Sequence, residues 1–157
     1  MSESGKTHHY HATCHWRGST AAGYEAYNRN HELRAPPAAQ TLPMSSDPAF
    51  RGDPQRLNPE QLLVMAAASC QMLSFLAIAA RARLDVVEYE DRAEAYMPED
   101  DKPVCITRIV LKPRIVLAGA VDAAHVRRLV DQAHHTCFIA NSLKSIIEIT
   151  PDIVIRS

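Results

Sequence analysis

Residues Asn58 to about Arg83 read as a single helix with almost no polar face. Asn58 suits the N-cap, Pro59 the first helical position and Glu60 the first turn, where its charge meets the positive end of the helix dipole. From there about 25 residues extend roughly 38 Å at 1.5 Å per residue. Leu62, Leu63, Met65, Ala66, Met72, Leu73, Phe75, Leu76 and Ile78 are spread around the whole circumference. A helix that is apolar all round has to be covered on all sides. The run from Leu62 to Ala80 is broken by Ser69, Gln71 and Ser74 and is rich in alanine, short of the roughly 20 strongly apolar residues of a membrane span. It therefore reads as the core helix of a folded domain.

The remainder of the chain sets how much cover is available. From His8 to Leu33, "HHYHATCHW" and "YEAYNRNHEL" alternate on either side of Gly18 and Gly23, the pattern of an antiparallel hairpin over residues 1–35. Residues 36–57 follow as a loop rich in proline (Pro36, Pro37, Pro43, Pro48, Pro54), which cannot supply the amide donors of a helix or a central strand. After the helix of 58–83, "LDVVEYEDRAEAYM" and "VCITRIVLKPRIVL" form a second hairpin around "PEDDKP". A second helix in "DAAHVRRLVDQAHHTC" and a last strand in "IIEITPDIVI" complete the stretch 84–157. With 157 residues, the order ββ, loop, α, ββ, α, β predicts one α+β domain, with antiparallel sheet around a central helix. Five strands and one amphipathic helix cover one or two sides of that central helix. A two-fold partner presenting the same helix would cover the rest, so the sequence predicts a homodimer.

The formal net charge of -1 gives no electrostatic reason to expect nucleic acid or an anionic membrane as partner. The N-terminal "MSESGKTHHYHATCHW" lacks the basic-then-apolar layout of a secretory signal, and a cytoplasmic location is expected. In that compartment Cys14, Cys70, Cys105 and Cys137 are reduced by default, and a bridge between any two is more naturally transient and redox-linked than structural.

Cys70 lies mid-helix, where a thiol commonly packs as a small hydrophobe. Cys137 ends the second helix, where a thiol is accessible. Two thiols distant in sequence, each on or beside a helix, also suit a peroxidase, in which one attacks the peroxide and becomes a sulfenic acid that the other resolves as a disulfide. Both readings of Cys70, core filler and nucleophile, stand on the residues alone.

"NPEQLLVMAAASC" followed by "CFIANS" resembles the OsmC/Ohr family of thiol peroxidases, and the predicted order of elements matches that family over nearly the whole chain. "WRGSTAAGYEAYNRNHEL", "SSDPAFRGD" and "AHHTCFIANSL" point to its more divergent OsmC-like branch. The resemblance implies an intertwined homodimer with two long central helices at the interface, and reduction of organic hydroperoxides or hydrogen peroxide without metal or other cofactor. It implies Cys70 as the peroxidatic thiol, Cys137 as the resolving thiol, Glu60 as the carboxylate of the N-P-E box, and an N-terminal arginine beside the thiolate. Arg29 is the favoured match for that arginine, with Arg17 left open. It also suggests a dithiol reductant of the lipoyl type.

A guanidinium near Cys70 would favour the thiolate and the departing oxygen, and a carboxylate would hold that guanidinium. Glu60 and Cys70, however, are ten residues apart, about 15 Å along a regular helix. Arg29 bridges part of that distance, or the helix is broken, or the Glu60 serving Cys70 comes from the partner. Leu63, Ala66, Ala67, Leu73 and Phe75 are expected to surround the thiol with an alkyl-compatible pocket, and Phe50 to form a lid. The alternative from another class is a non-enzymatic dimer that binds small apolar ligands.

His8, His9, His11, Cys14 and His15 crowd one short strand, but alternation divides them between two faces, so an exposed strand face is expected rather than a metal site. His134 and His135 are expected to favour the C-terminus of their helix. Cys14 and Cys105 are expected to pack within strands.

Overall fold

The computed structural model describes residues 5–156; the expected single domain over 1–157 extends at both ends beyond that range. The chain divides after Leu62 into two compact units.

In the N-terminal unit, β1 (Thr13–His15), β2 (His31–Arg34) and β3 (Thr41–Met44) form an antiparallel sheet in that order. Cys14 faces Leu33 across the first pair, and Leu33 faces Leu42 across the second. The predicted hairpin is thus present with much shorter strands, because the stretch between them satisfies its backbone in another way. Trp16 Nε1 donates to the carbonyl of Asn28 at 2.6 Å, the Arg29 guanidinium donates to the carbonyls of Tyr24 and Tyr27, and the Asn28 side chain accepts from the Asn30 amide. Carbonyls already taken by side chains have no need of a ladder partner.

The proline-rich segment, expected as loop, supplies β3. Pro43 is tolerated there because β3 lies at the sheet edge, where a missing amide donor leaves no partner unpaired. A short 3-10 turn, Pro48–Phe50, follows, capped by Asp47 through the Ala49 amide. Gly52 closes it: a Cβ at that position would lie 1.6 Å from the Ser46 carbonyl oxygen, so only glycine fits.

Helix α1 spans Pro59–Arg81 without interruption. Its start is a reciprocal cap, with the Asn58 side chain accepting from the Gln61 amide at 2.8 Å and the Gln61 side chain accepting from the Asn58 amide at 3.0 Å.

In the C-terminal unit, β4 (Asp85–Asp91), β5 (Glu94–Tyr96), β6 (Arg108–Leu111) and β7 (Pro113–Ala118) form one long hairpin that is shared between two sheets. β4 pairs with β7 and β5 with β6, both antiparallel. The hairpin changes sheets between Asp91 and Glu94, where the Asp91 carboxylate accepts the Lys112 amide at 2.7 Å. Helix α2 (Ala123–Thr136) starts on Asp122, whose carboxylate accepts the amides of Ala124 and His125. The expected last strand is two: β8 (Ile146–Ile149) pairs parallel to β6 and β9 (Asp152–Arg156) parallel to β7. Pro151, lacking a donor, marks the bend where the chain passes from one sheet to the other. The sheets are therefore antiparallel in their hairpin pairings and parallel at their last strands.

Two cores follow from this division. Phe75 and Ala79 of α1 pack with Ile115 and Leu117 of β7 and with Val126, Leu129, Val130 and Ala133 of α2. Ala67 packs with Ile109 and Leu111 of β6. Of the whole of α1 only Ala67, Gln71, Phe75 and Ala79 are buried, one residue per turn. Met65 and Leu73 remain 52% and 60% exposed. The chain alone covers one stripe of a helix that is apolar on every side.

Candidate active site

Cys70 and Cys137, 67 positions apart, are brought together within the C-terminal unit. Helix α1 carries Cys70, half-buried, and Cys137 is the C-cap of α2, with 1% of its surface exposed. The chain leaves α2 at Cys137 in extended conformation and turns at once into the short helical turn Ala140–Ser142. This sharp exit turns the amides of residues 138–140 toward the two sulfurs.

The surroundings divide the thiols electrostatically. Burial pushes the Cys70 thiol up, but the Ile139 amide, the Cys137 thiol, the Phe138 amide and the Ser74 hydroxyl all favour its anion, and the net direction is below the ordinary thiol value. Burial pushes Cys137 up; the Ala140 amide, 3.5 Å from its sulfur, opposes this, and the neighbouring Cys70 adds to it, so its net direction is upward. Of the two thiols, Cys70 is therefore the one whose surroundings favour the anion, with the Cys137 thiol among its hydrogen-bond partners. Among the reactive forms of cysteine, the thiolate is the nucleophile.

A cavity of about 450 Å³ opens beside Cys70, lined from α1 by Leu73, Ser74, Ala77, Ile78 and Arg81, and across from them by Gln132, Thr136 and Phe138. Of the pocket residues expected from sequence, Leu73 lines it. Leu63 and Ala67 do not: Ala67 is buried in the β6 core and Leu63 packs against that core, because their helical angle faces the sheet. Phe75 is likewise fully buried in the other core, and Ala66 is exposed off the cavity. The residues missed, Ser74, Ala77, Ile78 and Arg81, sit four, seven, eight and eleven positions after Cys70. That spacing marks one face of a helix and was legible in the sequence.

The other expected site residues lie in the N-terminal unit. Arg29 is 9% exposed, its guanidinium 3.6 Å from the Tyr27 ring centre and 4.7 Å from that of Tyr24. Among the described residues no carboxylate lies within salt-bridge range of it, and it borders a hollow shared with Cys14, Trp16, His31 and Ser45. Arg17 is exposed. Glu60 sits in the first turn of α1 and forms no ion pair among the described residues. Since α1 is unbroken from Pro59 to Arg81, a break in the helix does not shorten the roughly 15 Å between Glu60 and Cys70. Phe50 ends the 3-10 turn, 38% exposed.

The histidine-rich stretch from His8 to His15 is exposed throughout. Cys14 and Cys105 are exposed, not packed, and Cys105 falls outside any strand, in the extended segment before β6. His134 and His135 both lie in the last turn of α2. Tyr89, missed in the sequence, sits near Cys137; burial and the charges of Asp91 and Cys137 hold its hydroxyl well above the ordinary range, so it stays protonated.

The family model for OsmC-like protein matches residues 52–152, which include α1, both thiols and the short turn after Cys137. The chain belongs to the OsmC-like family. An OsmC-like protein of unknown function from Vibrio cholerae has a similar structure, with TM-score 0.81 and 27% identity over 94% of this chain and 100% of that one. An organic hydroperoxide resistance protein OsmC from Legionella pneumophila shares the fold at TM-score 0.68 and 14% identity, covering 96% of this chain and 99% of that one. The uncharacterized protein YmaD of Bacillus subtilis is 22% identical over 90% of this chain and 91% of its own length. The mixed α+β architecture described above is thus an OsmC-like fold, shared with these two solved structures.

Proposed function

We propose that this OsmC-like protein is a two-cysteine peroxidase that reduces organic hydroperoxides. The observation that carries the reading is the pairing of a half-buried Cys70, whose anion its neighbours favour, with a buried Cys137 beside it. The Cys70 thiolate attacks the terminal peroxide oxygen and the O–O bond breaks. The hydroxyl passes to sulfur as a sulfenic acid, and the alkoxide leaves, taking a proton to become the alcohol. Amides of Phe138 and Ile139 and the Ser74 hydroxyl, which favour the thiolate, also lower the energy of charge as it moves from sulfur to the leaving oxygen. Cys137 then attacks the sulfenic sulfur. Its proton and the departing hydroxide leave as water, and a Cys70–Cys137 disulfide remains. An external dithiol of the lipoyl type returns both thiols and is itself oxidised to a disulfide.

The reading includes a cytoplasmic location and a homodimer with α1 at its interface; the exposure of the apolar Met65 on α1 supports the dimer. It gives Arg29 the role of guanidinium and Glu60 that of its carboxylate partner. The test is a titration of the reduced protein with cumene hydroperoxide, counting free thiols. Loss of two thiols per chain, abolished in Cys70→Ser, supports the peroxidase; unchanged thiols reject it and leave a ligand-binding protein. Sedimentation of wild type against Met65→Lys reads the dimer: a stable wild-type monomer at micromolar concentration rejects it.

A further inference from the structure

The cavity beside Cys70 is a trough with a thiol at one end and a cation at the other. Eleven residues make about three helical turns, so Arg81 returns to the side of α1 that carries Cys70, about 16 Å further along the axis. Between them the floor is made of small side chains, Ser74 and Ala77. Leu73 and Ile78 flank it on α1, and Phe138, 80% exposed, stands on the far wall with Gln132 and Thr136. An apolar channel of this shape suits an alkyl chain. Arg81 is exposed, and among the described residues no carboxylate lies within 4.0 Å of its guanidinium. A cation that ends an apolar channel without a counter-ion complements a ligand that is apolar along its length and anionic at its tip.

Resting on the peroxidase reading, we infer that Arg81 is a specificity-determining residue. It takes the carboxylate of an amphiphilic hydroperoxide whose chain lies along the trough toward Cys70. The chemistry at the thiol is unchanged; what Arg81 adds is preference for an acid over its neutral ester.

The test compares kcat/KM for linoleic acid hydroperoxide with that for its methyl ester, in wild type, Arg81→Ala and Arg81→Lys. Alongside it, oleate and oleyl alcohol compete with a fluorescent fatty-acid probe for the reduced protein. The acid-to-ester ratio is expected to fall about tenfold in Arg81→Ala, in line with loss of a charge-assisted hydrogen bond, and to be largely retained in Arg81→Lys. Oleate binding falls with it, and oleyl alcohol binding does not. An acid-to-ester ratio equal in all three proteins, with hydroperoxides still consumed, overturns the anionic subsite and leaves the peroxidase reading standing. Oleate binding that depends on Arg81, in a protein that consumes no hydroperoxide, keeps the subsite and rejects the peroxidase. Oleate and oleyl alcohol bound equally by all three proteins also overturns the subsite.

Discussion

Replacing Ala77 by phenylalanine should shorten the trough. Ala77 lies seven residues beyond Cys70, about 10 Å along the helix, and is exposed, so a ring there projects into the channel rather than into either core. A substrate short enough to end before that point meets the same walls as before; a longer one has its distal methylenes pushed into water. Each methylene shut out forfeits about 0.8 kcal/mol, a factor of about four, so three of them cost about 2.4 kcal/mol, or about sixtyfold in kcat/KM. The assay is the ratio of kcat/KM for a long straight-chain alkyl hydroperoxide to that for tert-butyl hydroperoxide, measured in wild type and variant. A ratio that falls by one to two orders of magnitude is the expected result. A ratio unchanged within twofold refutes the argument, whether both values hold or both collapse, since the chain then does not run along Ser74 and Ala77.

Three further outcomes follow from the same geometry. Ser74→Ala removes a donor that favours the Cys70 thiolate, so the midpoint of the pH profile for Cys70 alkylation moves up and alkylation at neutral pH slows; a midpoint moving down contradicts the assigned bond. Gln71→Met removes a fully buried side chain whose Oε1 has no partner and whose Nε2 donates to the Val130 carbonyl at 3.1 Å. Losing that bond costs about 1 kcal/mol and removing the unpaired oxygen recovers about 1–3, so urea denaturation should show stability unchanged or raised by up to about 2 kcal/mol. Arg29→Ala leaves the Tyr24 and Tyr27 carbonyls without their donor and strips a cation from between two rings, a loss of about 2 kcal/mol by the same measurement. Arg29→Lys should recover less than half of it, because an ammonium has no fork to span two carbonyls.

Much of the fold is legible in the sequence. The Asn58 cap, the reach of α1 and the start of α2 at Asp122 rest on local signals, a short polar side chain ahead of a periodic apolar run. The approach of Cys70 to Cys137 was legible through the resemblance of "NPEQLLVMAAASC" and "CFIANS", since no local pattern joins residues 67 positions apart. The pocket departs from the sequence expectation because apolarity is a poor guide to the thiol's neighbours. On α1 the larger apolar residues serve two cores, and the cavity is floored by Ser74 and Ala77, which look like filler. The N-terminal strands are shorter than alternation predicts because Trp16 and Arg29 take carbonyls that a longer ladder needs. The parallel pairing of β8 and β9 was also hidden, since the break at Pro151 fits an edge strand as well as a crossing between sheets.

The unequal exposure of the two sulfurs sets up a race. Once the proposed sulfenic acid forms on Cys70, a second peroxide must diffuse in to carry it to the irreversible sulfinic state, whereas Cys137 is already beside it and pays no encounter cost. Cys137 itself, shut away from bulk solvent, offers no target to that second peroxide. A chain arranged in this way would lose activity to excess oxidant only where the supply of peroxide outruns an intramolecular step, so its ceiling of tolerance is set by burial at one helix end.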